Sequence, residues 1–212
     1  MKNDLRMLAI ISAVSLAGAG IVGVASAQES SPASRIEVSV LGGLQALNKN
    51  DTALPDAITN VPAIATVAYH FSPLLAVEGE FTWLIPIKQS VDLLAGPSQD
   101  RKTPNILAYQ ANVRTSWPQS QWTPYLTAGL GAVTFLSNTE VDRLPRLDSS
   151  ETAFALNFGA GATYGLGGRW ALRGDFRELA AFPSSDATGL SSAGNADPIW
   201  MERGVLGVAY RF

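Results

Sequence analysis

The chain has 212 residues, a formal net charge of −3, 19 glycines and no cysteine. Its 15 basic and 18 acidic residues nearly balance, which excludes the clustered basic excess of a nucleic-acid-binding protein. The lack of cysteine excludes disulfides, thiolate metal sites and cysteine nucleophiles, and the single histidine, His70, excludes sites that need two histidines. We therefore expect no cofactor, no metal and no nucleic-acid partner.

The first 27 residues are predicted to form an export signal. Lys2 and Arg6 precede an uncharged stretch that ends in the Ala-Ser-Ala sequence of residues 25–27, as is typical of a cleaved secretory signal peptide. A membrane-anchoring helix is the alternative, because about 20 uncharged residues can span a bilayer. The predicted organisation is a signal peptide over residues 1–27, a short periplasmic segment over 28–34 and a folded domain over 35–212.

Eight runs in the folded domain alternate apolar and polar residues with a period of two. This pattern is typical of strands that have two different faces. The predicted strands are 35–44, 63–71, 75–84, 106–116, 123–135, 152–164, 169–177 and 200–212.

The connections between these strands alternate in length. Three short turns lie at residues 72–74, 117–122 and 165–168, and four long segments lie at 46–62, 85–105, 136–151 and 178–199. This alternation predicts an all-β fold, an eight-stranded antiparallel up-and-down transmembrane β-barrel with its turns in the periplasm and its loops outside the cell.

Charge and apolar residues separate onto opposite faces of the strands. In the third strand, Val77, Phe81 and Trp83 share one face, while Glu78 and Glu80 share the other. An Arg that faces lipid at the bilayer midplane costs about 2–4 kcal/mol, so we expect the charged faces to point into the barrel. The predicted interior charges are Glu37, Glu78, Glu80, Arg114, Arg173, Asp175, Arg177, Arg203 and Arg211. Arg35 and Arg169 fall on the same faces by parity, and Glu202 alone breaks the parity.

A soluble barrel with its apolar face inside is the alternative architecture, because periodicity does not distinguish inside from outside. Aromatic residues on the apolar faces favour the membrane barrel, in which they form girdles at both interfaces. The girdle residues predicted near the strand ends are Trp83, Tyr109, Phe154, Tyr164, Trp170 and Phe176.

The end of the chain carries a family resemblance. Leu206, Val208, Tyr210 and Phe212 alternate up to the last residue, which resembles the assembly signal of outer-membrane barrels. Residues 124–132, which begin with Pro-Tyr, and residues 157–164 resemble glycine-alternating strands of the outer membrane β-barrel domain family. That family is similar in architecture to the transmembrane domain of outer membrane protein A.

The resemblance implies a bacterial outer-membrane protein that contacts membrane lipid and, during biogenesis, the barrel-assembly machinery. The chain has no counterpart of the periplasmic peptidoglycan-binding domain of outer membrane protein A, so we expect no cell-wall tether through such a domain. The ligand of the outer loops stays open.

The interior charges define the functional hypotheses. An eight-stranded barrel is just wide enough for side chains to fill it, and buried charges must pair. We expect a salt-bridged polar plug and a non-enzymatic structural or surface-contact role. A narrow solute pore gated by rearranging ion pairs is the alternative. A lipid-modifying enzyme is the second alternative, which the position of His70 near a short turn disfavours, and we expect no catalytic residues.

Deletion of Phe212 is expected to impair membrane insertion far more than Phe182→Ala in a predicted loop, because the terminal aromatic belongs to the assembly signal. The amount of folded protein in isolated outer membranes measures the effect. Equal accumulation of the two variants would contradict the assignment of the signal.

Overall fold

The computed structural model describes residues 35–48, 58–87, 89–91, 99–138, 140, 147–184 and 198–212. The predicted signal peptide and the periplasmic segment lie outside the described residues. Among the residues that are described, none forms a helix long and apolar enough to cross a membrane.

Eight antiparallel strands close into a barrel. They are β1 (Ile36–Asn48), β2 (Ile58–His70), β3 (Leu75–Pro86), β6 (Ile106–Ser116), β7 (Trp122–Phe135), β8 (Glu151–Gly167), β9 (Trp170–Phe182) and β10 (Ile199–Arg211). Around the barrel the order is β1-β10-β9-β8-β7-β6-β3-β2, with β2 paired to β1. Two short strands, β4 (Gln89–Val91) and β5 (Gln99–Arg101), form a separate hairpin between β3 and β6. The predicted closed antiparallel barrel of eight strands is therefore confirmed.

The three short turns and both ends of the barrel domain lie at one end, which we call the turn end. The opposite end, where the long segments leave the barrel, is the loop end. Several strands run further toward the loop end than periodicity predicted: β1 reaches Asn48, β2 begins at Ile58 and β9 reaches Phe182. Backbone pairing with a neighbouring strand needs no alternation of side chains, so these extensions carry no signal in the sequence.

The extension of β9 corrects two assignments. Phe182 is the last residue of β9 rather than a loop residue, and its ring lies 6.3 Å from that of Phe154. Phe71, which is exposed in a turn, is therefore the better control for deletion of Phe212. Phe176 faces outward as predicted but lies near the middle of β9 rather than near its end.

The outer surface of the barrel is apolar and its inner surface is polar at mid-height. Exposed and buried residues alternate along β3 from Leu75 to Ile85, and large apolar side chains such as Val40 and Leu206 are exposed. Trp122 packs on Tyr164, and Trp170 packs on Tyr210, each with ring centroids 4.8 Å apart near the turn end. An apolar exterior with an aromatic girdle excludes the soluble-barrel alternative.

The prediction that Arg35 and Arg169 lie on inner faces is wrong. Both are exposed at the turn end. The guanidinium of Arg35 donates to the Tyr69 hydroxyl at 3.2 Å, and Arg169 lies in the turn before β9. Strand parity does not hold at these positions because the side chains extend beyond the last paired residues, where they reach water. Glu202 keeps the outward parity predicted for it and lies opposite Glu178 of β9.

Glycines on the inner face have a different role from those on the outer face. A Cβ on Gly43, Gly129, Gly131, Gly159, Gly161 or Gly207 would collide with the backbone of an adjacent strand. A Cβ on the outward-facing Gly42, Gly79 or Gly204 would meet no atom closer than 3.6 Å. The inner glycines therefore allow the close approach of strands that the tight curvature of a small barrel requires.

Gly159→Ala is expected to destabilise the barrel by about 1–3 kcal/mol, because its methyl group would overlap the carbonyl oxygen of Phe176. Gly204→Ala is the matched control and is expected to be neutral or stabilising by up to about 1 kcal/mol, because its position is open. Urea unfolding of both variants in lipid vesicles measures the difference. Equal destabilisation would refute the role assigned to the inner glycines.

Candidate functional site in the barrel interior

The strongest interaction in the interior crosses the barrel from wall to wall. Glu78 of β3 and Arg173 of β9 lie on strands that are diametrically opposite in the ring order. Two nitrogens of Arg173 donate to the two carboxylate oxygens of Glu78 at 2.6 and 3.2 Å. Arg177 and Arg114 also donate to Glu78, at 2.8 and 3.2 Å. One carboxylate thus joins three guanidiniums at the centre of the barrel.

Asp175 and Tyr125 hold the same arginines from the side. Arg177 donates to Asp175 from Nε at 2.9 Å, and the Tyr125 hydroxyl donates to Asp175 at 2.8 Å. The same hydroxyl accepts a hydrogen bond from Arg173 Nε at 2.9 Å. The Tyr125 ring lies 5.2 Å from the guanidinium carbons of both Arg114 and Arg173. Its ring thus contacts two like charges, and each contact is a favourable cation–π interaction.

Two further carboxylates extend the network toward the ends of the barrel. Toward the loop end, Glu80 lies 2.7 Å from Arg203 and 2.9 Å from Arg177. Toward the turn end, Glu37 accepts from Arg114 and from Arg211, each at 2.8 Å. The network therefore runs continuously along the barrel axis.

His70 takes part in this network at the turn end. Its Nε2 lies 3.0 Å from a guanidinium nitrogen of Arg114 and 3.6 Å from a Glu37 oxygen. Because the guanidinium has no acceptor, Arg114 is the donor in its contact with His70. These contacts join His70 to the ion network at the turn end.

The buried charges balance. Four carboxylates, Glu37, Glu78, Glu80 and Asp175, and four guanidiniums, Arg114, Arg173, Arg177 and Arg203, have side chains that are at most 5% exposed. Arg211 is the exception, with a side chain that is 41% exposed at the turn end. Paired and neutral, this set avoids the several kcal/mol that an isolated buried charge costs.

An apolar layer lies in the loop half of the interior, which the sequence analysis did not predict, beside the buried polar side chains of Gln45, Asn60 and Thr103. Buried side chains from six barrel strands form one cluster there: Leu84, Ile106, Ala108, Val133, Phe135, Ala153, Ala155, Leu179, Ala181, Ile199 and Met201. Leu147, from the segment between β7 and β8, is fully buried in the same cluster. Its carbonyl accepts from the amide of Asn138 at 2.8 Å. The apolar layer therefore lies beyond the ion network on six of the eight strands.

The structure brings together all nine interior charges named from the sequence. Leu206, Val208 and Phe212 face outward and are exposed, and Tyr210 packs between Trp170 and Phe212. Sequence reasoning missed the role of Tyr125, which lies on the inner face of β7 together with Thr127. It also missed Leu179 and Ile199, which fell in segments predicted as loops.

The interior chemistry is that of ion pairing rather than of metal binding. Within the described ranges, no group of three or more His, Asp or Glu side chains is arranged to hold a metal ion. Each interior carboxylate is instead engaged by at least two arginines.

The chain belongs to the family described as outer membrane protein beta-barrel domain, whose model matches residues 14–212. No curated protein matches it in sequence. Its fold is similar to that of Neisserial surface protein A, with a TM-score of 0.57, 15% identity, and 86% of this chain and 100% of that chain covered. It is also similar to the N-terminal β-barrel domain of OprF from Pseudomonas aeruginosa, with a TM-score of 0.51, 12% identity, and 85% and 98% covered.

Family and fold define an integral protein of the bacterial outer membrane. In such barrels the short turns face the periplasm and the long loops face the outside. The turn end therefore lies at the periplasmic surface, and the apolar layer lies toward the cell exterior.

Glu78→Gln is expected to destabilise the barrel by about 3–5 kcal/mol, because it leaves three buried guanidiniums without their shared carboxylate. Asp148→Asn, which removes an exposed carboxylate near the loop end, is the control and is expected to change stability by less than about 0.5 kcal/mol. Unfolding in urea, followed by tryptophan fluorescence in vesicles, measures both. Equal stability of the two variants would show that the network is not needed for the fold.

Proposed function

We propose that this protein is a sealed, non-enzymatic outer-membrane barrel that acts as a structural or surface-contact component. The observation that carries the proposal is the filled interior. The ion network occupies the centre, and the apolar layer, in which Leu147 is fully buried, lies above it. Together they support a closed, rigid barrel. Binding residues concentrate on the loops of such rigid scaffolds.

The arrangement of the ion network supports a plug rather than a gate. Arg173 is held by Glu78, Asp175 and Tyr125 together, so its displacement would break several charge-assisted bonds at once. In a low-dielectric interior each such bond is stronger than in water. Opening a path therefore requires a concerted rearrangement of several strands' side chains.

A narrow pore is the second candidate function, and one observation favours it. Within the described residues, both amide atoms of Gln110 and the hydroxyl of Thr127 are buried without a hydrogen-bond partner. Gln110 pairs with Glu80 of β3, and Thr127 of β7 pairs with Arg114 of β6, so both groups border the ion network. If the interior opened, these groups would offer donors and acceptors to a passing solute.

The surroundings of His70 support a role without catalysis. The imidazole lies at the periplasmic end and contacts Arg114 and Glu37. A lipid-modifying enzyme of this architecture would need its base near the outer leaflet. For biogenesis, we propose export by the signal in residues 1–27, and insertion by the barrel-assembly machinery through Leu206, Val208, Tyr210 and Phe212.

Single-channel recording of the refolded protein in a planar bilayer tests the proposal. We expect a silent bilayer for the wild type, because the apolar layer and the ion network lie in series. Glu80→Ala alone is also expected to stay silent, because the layer around Ile106 and Leu147 remains.

Discrete openings of the wild type, altered in conductance by Glu78→Ala or Glu80→Ala, would replace the sealed scaffold by a pore. Heat-modifiable migration on gels serves as the control that each sample is folded.

A further inference from the structure

The lipid-facing wall formed by β8, β9, β10 and β1 contains an open groove. Its upper part has a volume of about 700 Å³ and a floor that includes Gly42, Gly174, Gly204 and Ala162. Its lower part, of about 520 Å³, shares Gly174 and Leu206 and extends to Trp122 near the turn end. The two parts share Ala162, Gly174 and Leu206 and form one open apolar groove that runs along the wall from mid-height to the aromatic girdle.

At two floor positions, Gly42 and Gly204, the strands do not need glycine in order to close, whereas a Cβ on Gly174 would lie 3.2 Å from the Leu206 side chain. A Cβ on Gly204 would meet no atom within 4 Å, and one on Gly42 would lie 3.6 Å from the nearest. These positions differ from the inner glycines, where any side chain would strike an adjacent strand. Glycine within a strand lowers stability by roughly 0.5–1 kcal/mol relative to Ala. The open groove, rather than barrel closure, is what these outer glycines create.

The periplasmic end of the same strands carries exposed positive charge. Arg169 precedes β9, and its carbonyl accepts from the amide of Arg211 at 2.9 Å. Phe212 donates to the carbonyl of Ile36 at 3.0 Å, which places Arg35 on the next strand along. Arg35 and Arg169 are exposed and Arg211 is 41% exposed. Three guanidinium-bearing residues thus lie at the periplasmic ends of three neighbouring strands, β9, β10 and β1.

No carboxylate among the described residues neutralises this edge completely. Glu37, the acidic residue of this end, is buried and is shared between Arg114 and Arg211. The side-chain contact that the structure shows for Arg35 is to the neutral Tyr69 hydroxyl. The edge therefore has positive charge available for an anionic group at the membrane surface.

We propose that this wall binds one phospholipid of the periplasmic leaflet. Its phosphate contacts Arg169 and Arg35, and one acyl chain lies in the groove over Gly174 and Gly204. Charge complementarity assigns the phosphate end, because arginine recognises phosphate by charge-assisted hydrogen bonds. The apolar walls, Leu172, Leu206 and Phe176, assign the chain. The position of the arginines at the turn end assigns the leaflet.

The aromatic residues complete the site. Trp122 and Tyr164, whose rings lie 4.8 Å apart, border the lower part of the groove, and Trp170 and Tyr210 pair beside it. Tryptophan and tyrosine prefer the headgroup level of a bilayer. They therefore lie at the height where the glycerol backbone of the bound lipid passes from the arginines to the groove.

Native mass spectrometry of the refolded barrel in detergent, titrated with phosphatidylglycerol, tests the proposal. We expect a first phospholipid to bind the wild type ahead of all others. Arg169→Gln and Gly204→Leu are each expected to weaken this first binding step about fivefold, the effect of losing one phosphate-directed charge or of filling the groove. Gly79→Leu is the matched control: Gly79 is also an outward glycine, with the nearest atom 3.9 Å from its Cβ position, but it lies on β3 outside the groove.

Diacylglycerol with the same acyl chains separates the two halves of the site. It lacks the phosphate, so Arg169→Gln is expected to leave its binding unchanged while Gly204→Leu weakens it. The assignment fails if Gly79→Leu weakens phospholipid binding as much as Gly204→Leu does, or if Arg169→Gln has no effect on it. A dimer of the protein that Gly204→Leu abolishes would overturn the proposal in favour of a second copy of the chain in the groove. Heat-modifiable migration confirms that every variant is folded.

Discussion

The structure depends on ion pairs that reach across a closed barrel. The carboxylate of Glu78 on one wall pairs with the guanidiniums of Arg173 and Arg177 on the opposite wall. In an interior shielded from water, each charge requires an opposite charge within hydrogen-bonding distance. The ion pairs therefore fix the distance between β3 and β9 across the barrel and the stagger of the strands. The lipid outside imposes the matching constraint, since charge that points outward at mid-height is excluded by its transfer cost.

The two halves of the interior serve this constraint differently. The polar half contains the paired charges and Tyr125, whose ring contacts two arginines. The other half contains the apolar layer, which includes Ile106, Leu147 and Met201, on the side of the outer loops. Inner-face glycines such as Gly161, which leaves room for the Tyr125 side chain, let bulky groups fit into a narrow cylinder. Closure, packing and charge pairing thus support one another, and the outer wall remains free for contact with lipid.

Much of the fold was predictable, because lipid and water act on alternate residues of every strand. The strand number followed from the period of two, and the antiparallel order followed from the alternating lengths of the connections. The inward direction of Glu78, Arg114 and Arg203 followed from the cost of charge in lipid. The strand ends were less predictable: β9 extends to Phe182 by backbone pairing that side-chain patterns do not record. Arg35 and Arg169 departed from parity because side chains at the last paired residues reach water instead of the barrel interior.

The sequence by itself determined which residues face lipid and which face inward, since that choice depends on the local period of two and on the cost of charge in hydrocarbon. Only the tertiary structure decided which carboxylate meets which guanidinium, because Glu78 and its partners Arg173 and Arg177 lie 95 and 99 residues apart. Their contact depends on the stagger of all eight strands. The apolar layer and the outer groove were likewise decided by the closed barrel, because each is built from side chains of several strands that become neighbours only after closure.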